Sequence, residues 1–138
     1  MRKSVLITTL IFASAMILYA PSIERMLYVK KASAINPYEK LFEACAKVES
    51  ANNPIAINIK EQAYGIVQVR QIRLDDFNQR TGKHYKLKDM LDIKKSKEVF
   101  MHYAKLYERT ELETIARRWN GSGPKTLVYW KKVKQHIL

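Results

Sequence analysis

The chain has 138 residues and a formal net charge of +12, with 25 Lys and Arg against 13 Asp and Glu. That length holds one domain around one core rather than two, and a composition 47% hydrophobic and 28% charged excludes a disordered chain. One cysteine, Cys45, excludes an internal disulfide framework, and the surplus of positive charge points to a polyanionic partner such as nucleic acid, anionic lipid or acidic cell wall.

In chain order, Arg2 and Lys3 precede an uncharged run from Val5 to Ala20. A basic start followed by such a run reads as a signal peptide or an N-terminal membrane anchor, assigned to residues 1–34, with Ala32-Ser33-Ala34 as a small-x-small cleavage site. The run, residues 5–20, is slightly short for crossing about 30 Å of hydrocarbon. Residues 35–138 form the domain and keep 20 basic and 12 acidic residues, a net of +8. Export places the protein in the periplasm or envelope, anchored or secreted, where wall or lipid is met before nucleic acid.

Asn36-Pro37-Tyr38-Glu39 predicts a helix start, with Asn36 as N-cap, Pro37 in the first turn and Glu39 closing a capping box. The helix carries Leu41, Phe42, Cys45 and Val48 on one stripe and ends near Ser50 before an Asn52-Asn53-Pro54 loop. Ile55–Ile59 alternates like a short strand, Gly65 breaks the chain, and Ile66–Val69 is extended or opens a helix. A helix follows over Ile72–Thr81, with Gly82 at its C-terminus. Asp92 caps the next helix, striped by Val99, Phe100, Tyr103, Leu106 and Tyr107. Thr110-Glu111-Leu112-Glu113 reads as a second capping box, opening a helix with Leu112, Ile115, Ala116 and Trp119 inward. After Gly121 and Gly123-Pro124, a last helix carries Leu127, Trp130, Val133 and Ile137. The expected fold class is mainly α (α+β), with one small β or irregular segment near residues 55–69.

Glu49 stands out. At about 100° per residue it falls about 20° from Phe42 and about 40° from Cys45, on the apolar stripe. Burial and the negative end of the helix dipole both raise a carboxyl pKa there, which is what a general acid working near neutral pH needs. On periodicity alone, an outward-pointing Glu49 at a fraying helix end is an equal alternative.

The residues that follow bear on that choice. Glu49-Ser50, an Asn/Pro/Ala-rich loop, Gly65-Ile66-Val67-Gln68-Val69, "ARRWNGSG" around Asn120, and "YWKKV" from Tyr129 occur in one order along the chain. This series resembles the core of the lysozyme-like lytic transglycosylases of SLT type. It departs where Gly121-Ser122-Gly123 replaces Ala-Gly, and where Glu61 precedes the glycine motif. The resemblance implies a lysozyme-like fold and cleavage of the β-1,4 bond between N-acetylmuramic acid and N-acetylglucosamine in peptidoglycan, with Glu49 as acid and then base. Beside it, the chemistry of the residues suggests substrate contacts at Tyr64, Gly65, Gln68, Asn120 and Tyr129, with Gly65 admitting the sugar close to the backbone and Tyr129 orienting Glu49, and at Ser50 a substrate contact or, equally, a hydroxyl bond at the helix end. Peptidoglycan glycan strands are the implied partner of a monomer that needs no cofactor or metal, and an anionic envelope polymer is a second partner.

A muramidase reading is the alternative and needs a second carboxylate about 5–9 Å across the bond. Glu61 is its candidate, because Asp75 and Asp76 fall on a helix and are expected in solvent. A wall-binding protein without catalysis is a third reading. His84, His102 and His136 are scattered, Cys45 reads as a buried small residue, and Lys94-Lys95-Ser96-Lys97 and Lys131-Lys132-Val133-Lys134 read as solvated helix faces.

Overall fold

In the computed structural model, residues 36–107 and 110–137 are described, and all belong to one unit, Ile35–Leu138. The signal or anchor segment, its cleavage site and the apolar run at residues 5–20 lie outside the described residues.

Among the described residues, five α-helices and a three-stranded antiparallel sheet are formed, so the unit is mainly helical. The helices are α1 (Pro37–Ser50), α2 (Gln71–Thr81), α3 (Ile93–Leu106), α4 (Leu112–Asn120) and α5 (Lys125–Lys134), with a 3-10 helix at Leu87–Leu91. The strands, each of two residues, are β1 (Ile57–Asn58), β2 (Ala63–Tyr64) and β3 (Val69–Arg70), paired in the order β1-β2-β3. The register sets Ile57 opposite Tyr64 and Ala63 opposite Arg70, and β3 runs directly into α2.

Helix α1 is the central element. Pro37 fills its first turn and the Asn36 side chain accepts from the Tyr38 N–H at 3.0 Å. Glu39 does not complete the expected capping box; its carboxylate pairs with Lys97 of α3 instead. Leu41, Phe42, Ala44, Cys45 and Ala46 are buried on α1, which packs against α3, α4 and α5. Phe42, Phe100 and Trp119 join edge to face at centroid distances of 5.5 and 4.9 Å, a geometry aromatic rings favour.

Other ends also follow local chemistry. Asp92 caps α3 by accepting from the Lys94 and Lys95 N–H groups, and Gly82 closes α2 in the left-handed region. Thr110 does not cap α4, as expected of it. Its hydroxyl donates to the Tyr107 carbonyl at 2.7 Å, and Glu111 takes the cap position without a side-chain bond. The short 3-10 turn was not foreseen. It is anchored by Asp89, which accepts from the Lys86 N–H at 2.7 Å.

Two expected patterns shift. The strand at Ile55–Ile59 shrinks to Ile57–Asn58, and its isoleucines stay exposed at 69%, 48% and 82%, so the alternation buries nothing. On the last helix, Thr126, Tyr129 and Val133 face the core while Leu127 is exposed. The turn through Gly121–Pro124 sets the rotation: the Thr126 hydroxyl donates to the Gly123 carbonyl at 2.7 Å and receives Arg117 Nε at 3.1 Å. That rotation brings Tyr129 under the end of α1.

Gly65 has a different reason for being glycine from the one expected. Its φ is +81°, and a Cβ there would lie 1.8 Å from the Met90 carbonyl oxygen and 2.8 Å from Ser96 Oγ. The close neighbour is the 3-10 helix and not open space for a sugar. Ser96, buried, donates to that same Met90 oxygen at 2.8 Å, so the carbonyl is fixed and cannot yield. Gly65→Ala is therefore expected to cost about 3 kcal/mol from overpacking plus positive-φ strain, read as a lower urea midpoint at unchanged slope.

Candidate active site

The site is built on the end of α1. Ala51 and Asn52 both take left-handed backbone (φ 53° and 65°), and the Asn52 N–H bonds the Ala46 carbonyl at 3.2 Å, stopping the helix at Ser50. The Ser50 hydroxyl donates to the Ile66 carbonyl at 2.8 Å. Its proton is thus committed to the protein, and Ser50 clamps the helix end to the turn after Gly65 instead of offering a donor to substrate.

That turn is held from several sides. Gln68 sits at φ 51°, and its Nε2 donates to the Gly65 carbonyl at 2.9 Å and the Ala56 carbonyl at 3.3 Å. With the amino end engaged, the amide oxygen of Gln68 remains as an acceptor. The indole N–H of Trp119 donates to the Val67 carbonyl at 3.0 Å, tying α4 to the same turn. Trp119 is buried among aromatic rings, so core packing explains most of its surface.

Arg73 was not singled out from sequence. Its guanidinium donates to the Arg118 and Trp119 carbonyls at 2.9 and 3.2 Å and lies 4.6 and 4.8 Å from the ring centroids of Tyr103 and Trp119. It satisfies carbonyls left open at the C-terminus of α4 and so fixes Asn120, the last residue of that helix.

Glu49 is half-buried and stands where two cavities meet. The first, about 230 Å³, opens toward the sheet and is lined by Glu49, Asn58, Glu61, Gln68, Arg70, Trp119 and Asn120. The second, about 410 Å³, opens toward α5 and is lined by Val48, Glu49, Asn120, Lys125, Val128, Tyr129 and Lys132. Of the expected site residues, Glu49, Gln68, Asn120, Tyr129 and Glu61 therefore come together, whereas Tyr64 lies on β2 with its side chain against the core and lines neither cavity. A further cavity of about 260 Å³, lined by Arg117, Arg118 and Gly121–Gly123 among others, does not include Glu49.

Burial pushes the Glu49 carboxyl up to about 7. The Tyr129 hydroxyl and then the Arg70 guanidinium pull it down, and the Glu61 carboxylate pushes it up. The Tyr129 oxygen is buried and makes no hydrogen bond of ordinary geometry with Glu49 or any other described group. Tyr129 itself is raised, chiefly by burial and then by the charges of Cys45 and Glu49, so it stays a neutral phenol. Cys45 lies beneath, fully buried, its thiol pushed up to about 12 by burial. A protonated carboxyl near neutral pH, walled by amides and a phenol, can donate a proton to a ligand atom placed between the cavities.

The second carboxylate has another occupation. Glu61 is exposed and pairs with Arg70 at 3.2 Å. Arg70, also missed from sequence, thereby neutralises Glu61 and lowers Glu49 at once. Asp75 is exposed, as expected, but Asp76 is not free in solvent: it pairs with Arg80 at 2.9 Å and accepts from the Tyr103 hydroxyl, bracing α2 on α3. Among the described residues, no three His, Cys, Asp or Glu side chains gather as a metal site, and no helix is long and apolar enough to cross a membrane.

Comparison with protein-family models, curated proteins and solved structures returned no match for this chain.

Two outcomes follow from the electrostatics. Because the folded pKa of Glu49, about 7, lies above its unfolded value of 4.5, the folded state holds the proton more tightly. Its contribution to stability is full below about 4.5 and is lost as pH rises through about 7. Glu49→Gln is thus expected to raise the melting temperature relative to wild type by a margin that is small in acid, widens through that window and then levels. Arg70→Gln removes one lowering charge and frees Glu61, so the Glu49 carboxyl midpoint moves upward, followed by its carbon NMR shift against pH.

Proposed function

We propose that the protein is a peptidoglycan-cleaving lytic transglycosylase with a lysozyme-like arrangement, in which Glu49 is the single acid and base. The observation that carries the reading is Glu49 itself: a half-buried carboxyl, pushed up to about 7, at the junction of two adjoining cavities that Gln68, Asn120 and Tyr129 help to line. The ordered resemblance of Glu49-Ser50, Gly65–Val69, Asn120 and Tyr129 supports the choice of substrate.

In this reading a glycan strand lies through both cavities with its scissile oxygen at Glu49. The carboxyl gives its proton to the glycosidic oxygen as the C1–O4 bond breaks. The carboxylate left behind takes the proton of the C6 hydroxyl, the C1–O6 bond forms, and a 1,6-anhydromuramoyl end results with the carboxyl regenerated. One protein carboxylate is sufficient, since the substrate's own acetamido group can support the charge at C1. Polar walls suit the acetamido and hydroxyl groups: the Gln68 oxygen and the Asn120 amide offer both acceptors and donors. Export to the envelope, with the basic surface drawn to anionic wall polymer, completes the reading.

A muramidase variant of the same chemistry rests on Glu61, which lines the sheet-side cavity with Glu49. Its pairing with Arg70 weighs against a free nucleophile or base there. A wall-binding protein without catalysis would keep the cavities and show no product.

The protein incubated with purified sacculi is expected to release 1,6-anhydromuramoyl products, with Glu49→Gln lowering the rate at least about a hundredfold. The rate should fall as pH rises through about 7, where the carboxyl loses its proton. Products one water heavier would assign hydrolysis. Sacculus binding that survives Glu49→Gln, with no sugar product from wild type, would leave only the binding role.

A further inference from the structure

The two cavities beside Glu49 differ in charge. The sheet-side cavity holds one carboxylate and one guanidinium, Glu61 and Arg70, already paired at 3.2 Å. Apart from the shared Glu49, the α5-side cavity holds two cations and no anion. Those cations are Lys125 and Lys132, both exposed and in none of the ion pairs found among the described residues.

Their spacing is informative. Seven residues apart on a helix, they fall on one face and about 10 Å apart along the axis. Val128, three residues from Lys125 and four from Lys132, sits between them and is exposed at 58%. The rim of the cavity is therefore a strip of cation, small apolar surface, cation, with Val48 and Tyr129 behind it. An extended peptide covers about 10 Å in three residues. A short peptide with carboxylates about three residues apart and an aliphatic side chain between them matches this strip. A muramoyl residue without its peptide carries a single carboxylate, on its lactyl group, and leaves one lysine unused.

We infer that the α5-side cavity, through Lys125 and Lys132, binds the carboxylate-bearing peptide that substitutes the muramoyl residue of the strand. The inference rests on the glycan-cleaving reading of Glu49 and adds a direction to it. The strand lies with its peptide-bearing sugar toward α5, and its uncharged neighbour lies toward the Gln68–Arg70 side, where the one guanidinium is already taken by Glu61. The lysines act on recognition and leave proton transfer to Glu49.

The test uses the full chain carrying Glu49→Gln, so that ligand survives during titration. The probes are a disaccharide muramoyl peptide with free carboxylates and the same molecule with every carboxylate amidated. The acidic probe is expected to bind about tenfold tighter at low salt, a preference that Lys125→Gln with Lys132→Gln removes and that Lys125→Arg with Lys132→Arg keeps. Amide NMR shifts should centre on Val128, Tyr129 and Lys132. Equal binding of the two probes, or a preference untouched by the Gln pair, overturns the inference. In the active protein, the Gln pair should lower the kcat/KM ratio of strands with free peptide carboxylates to strands with amidated ones by about tenfold. A wild-type protein inert toward every strand sinks the glycan-cleaving reading, and the titration still decides the lysines on its own.

Discussion

The hydrogen bond from Ser50 to the Ile66 carbonyl is the joint on which the site depends. It ties the last turn of α1 to a loop that has almost no regular structure of its own. Strands of two residues cannot hold a loop rigid, and the sheet side of the cleft is made of little else. Rigidity comes from side chains that reach in. Trp119 holds Val67, Gln68 holds Ala56 and Gly65, and Gly65 is seated against Met90. Each bond terminates on a backbone carbonyl, so the loop is fixed without using the residues' outer faces.

This arrangement explains how one carboxyl can be desolvated without being sealed in. A helix end buried on all sides would leave its carbonyls unpaired and cost stability. Here the left-handed turn at Ala51 and Asn52 closes α1, and Glu49 stays one residue inside, beside open cavities. Arg70 tempers the result. Without a cation on the sheet side, Glu61 and Glu49 would repel each other across a polar cavity. The guanidinium limits that repulsion and keeps the Glu49 carboxyl in the range where it can both give and regain a proton.

Much of this was legible in the chain. The Asn36-Pro37 start, the Asp92 cap and the Gly82 stop each act through one local hydrogen bond or one backbone angle, and local rules read such features well. Glu49 was half legible: helix periodicity puts it on the stripe of Phe42 and Cys45 but leaves an outward side chain equally open at a helix end, and the half-burial comes from the elements packed around it. What was not legible is tertiary. No local signal says that Gly65 faces Met90, that Arg73 reaches across 45 positions to cap α4, or that Glu39 prefers Lys97 to its own helix. The last helix misled for a related reason. Leu127 and Trp130 are the more apolar stripe, but the turn at Gly121–Pro124 fixes the rotation, and the small Thr126 fits where Arg117 needs an acceptor.

Cys45 sits directly under this assembly, wholly enclosed, with its thiol pushed up to about 12 by that enclosure. Almost no thiolate exists at neutral pH, so the sulfur is a poor target for oxidants or alkylating reagents while the helices remain closed. Such a thiol can stay reduced without a partner sulfur even in oxidising surroundings. The same thiol becomes a built-in gauge of integrity: its modification by a maleimide would time the moments when α1 and α5 part, reporting on breathing of the domain and not on its surface.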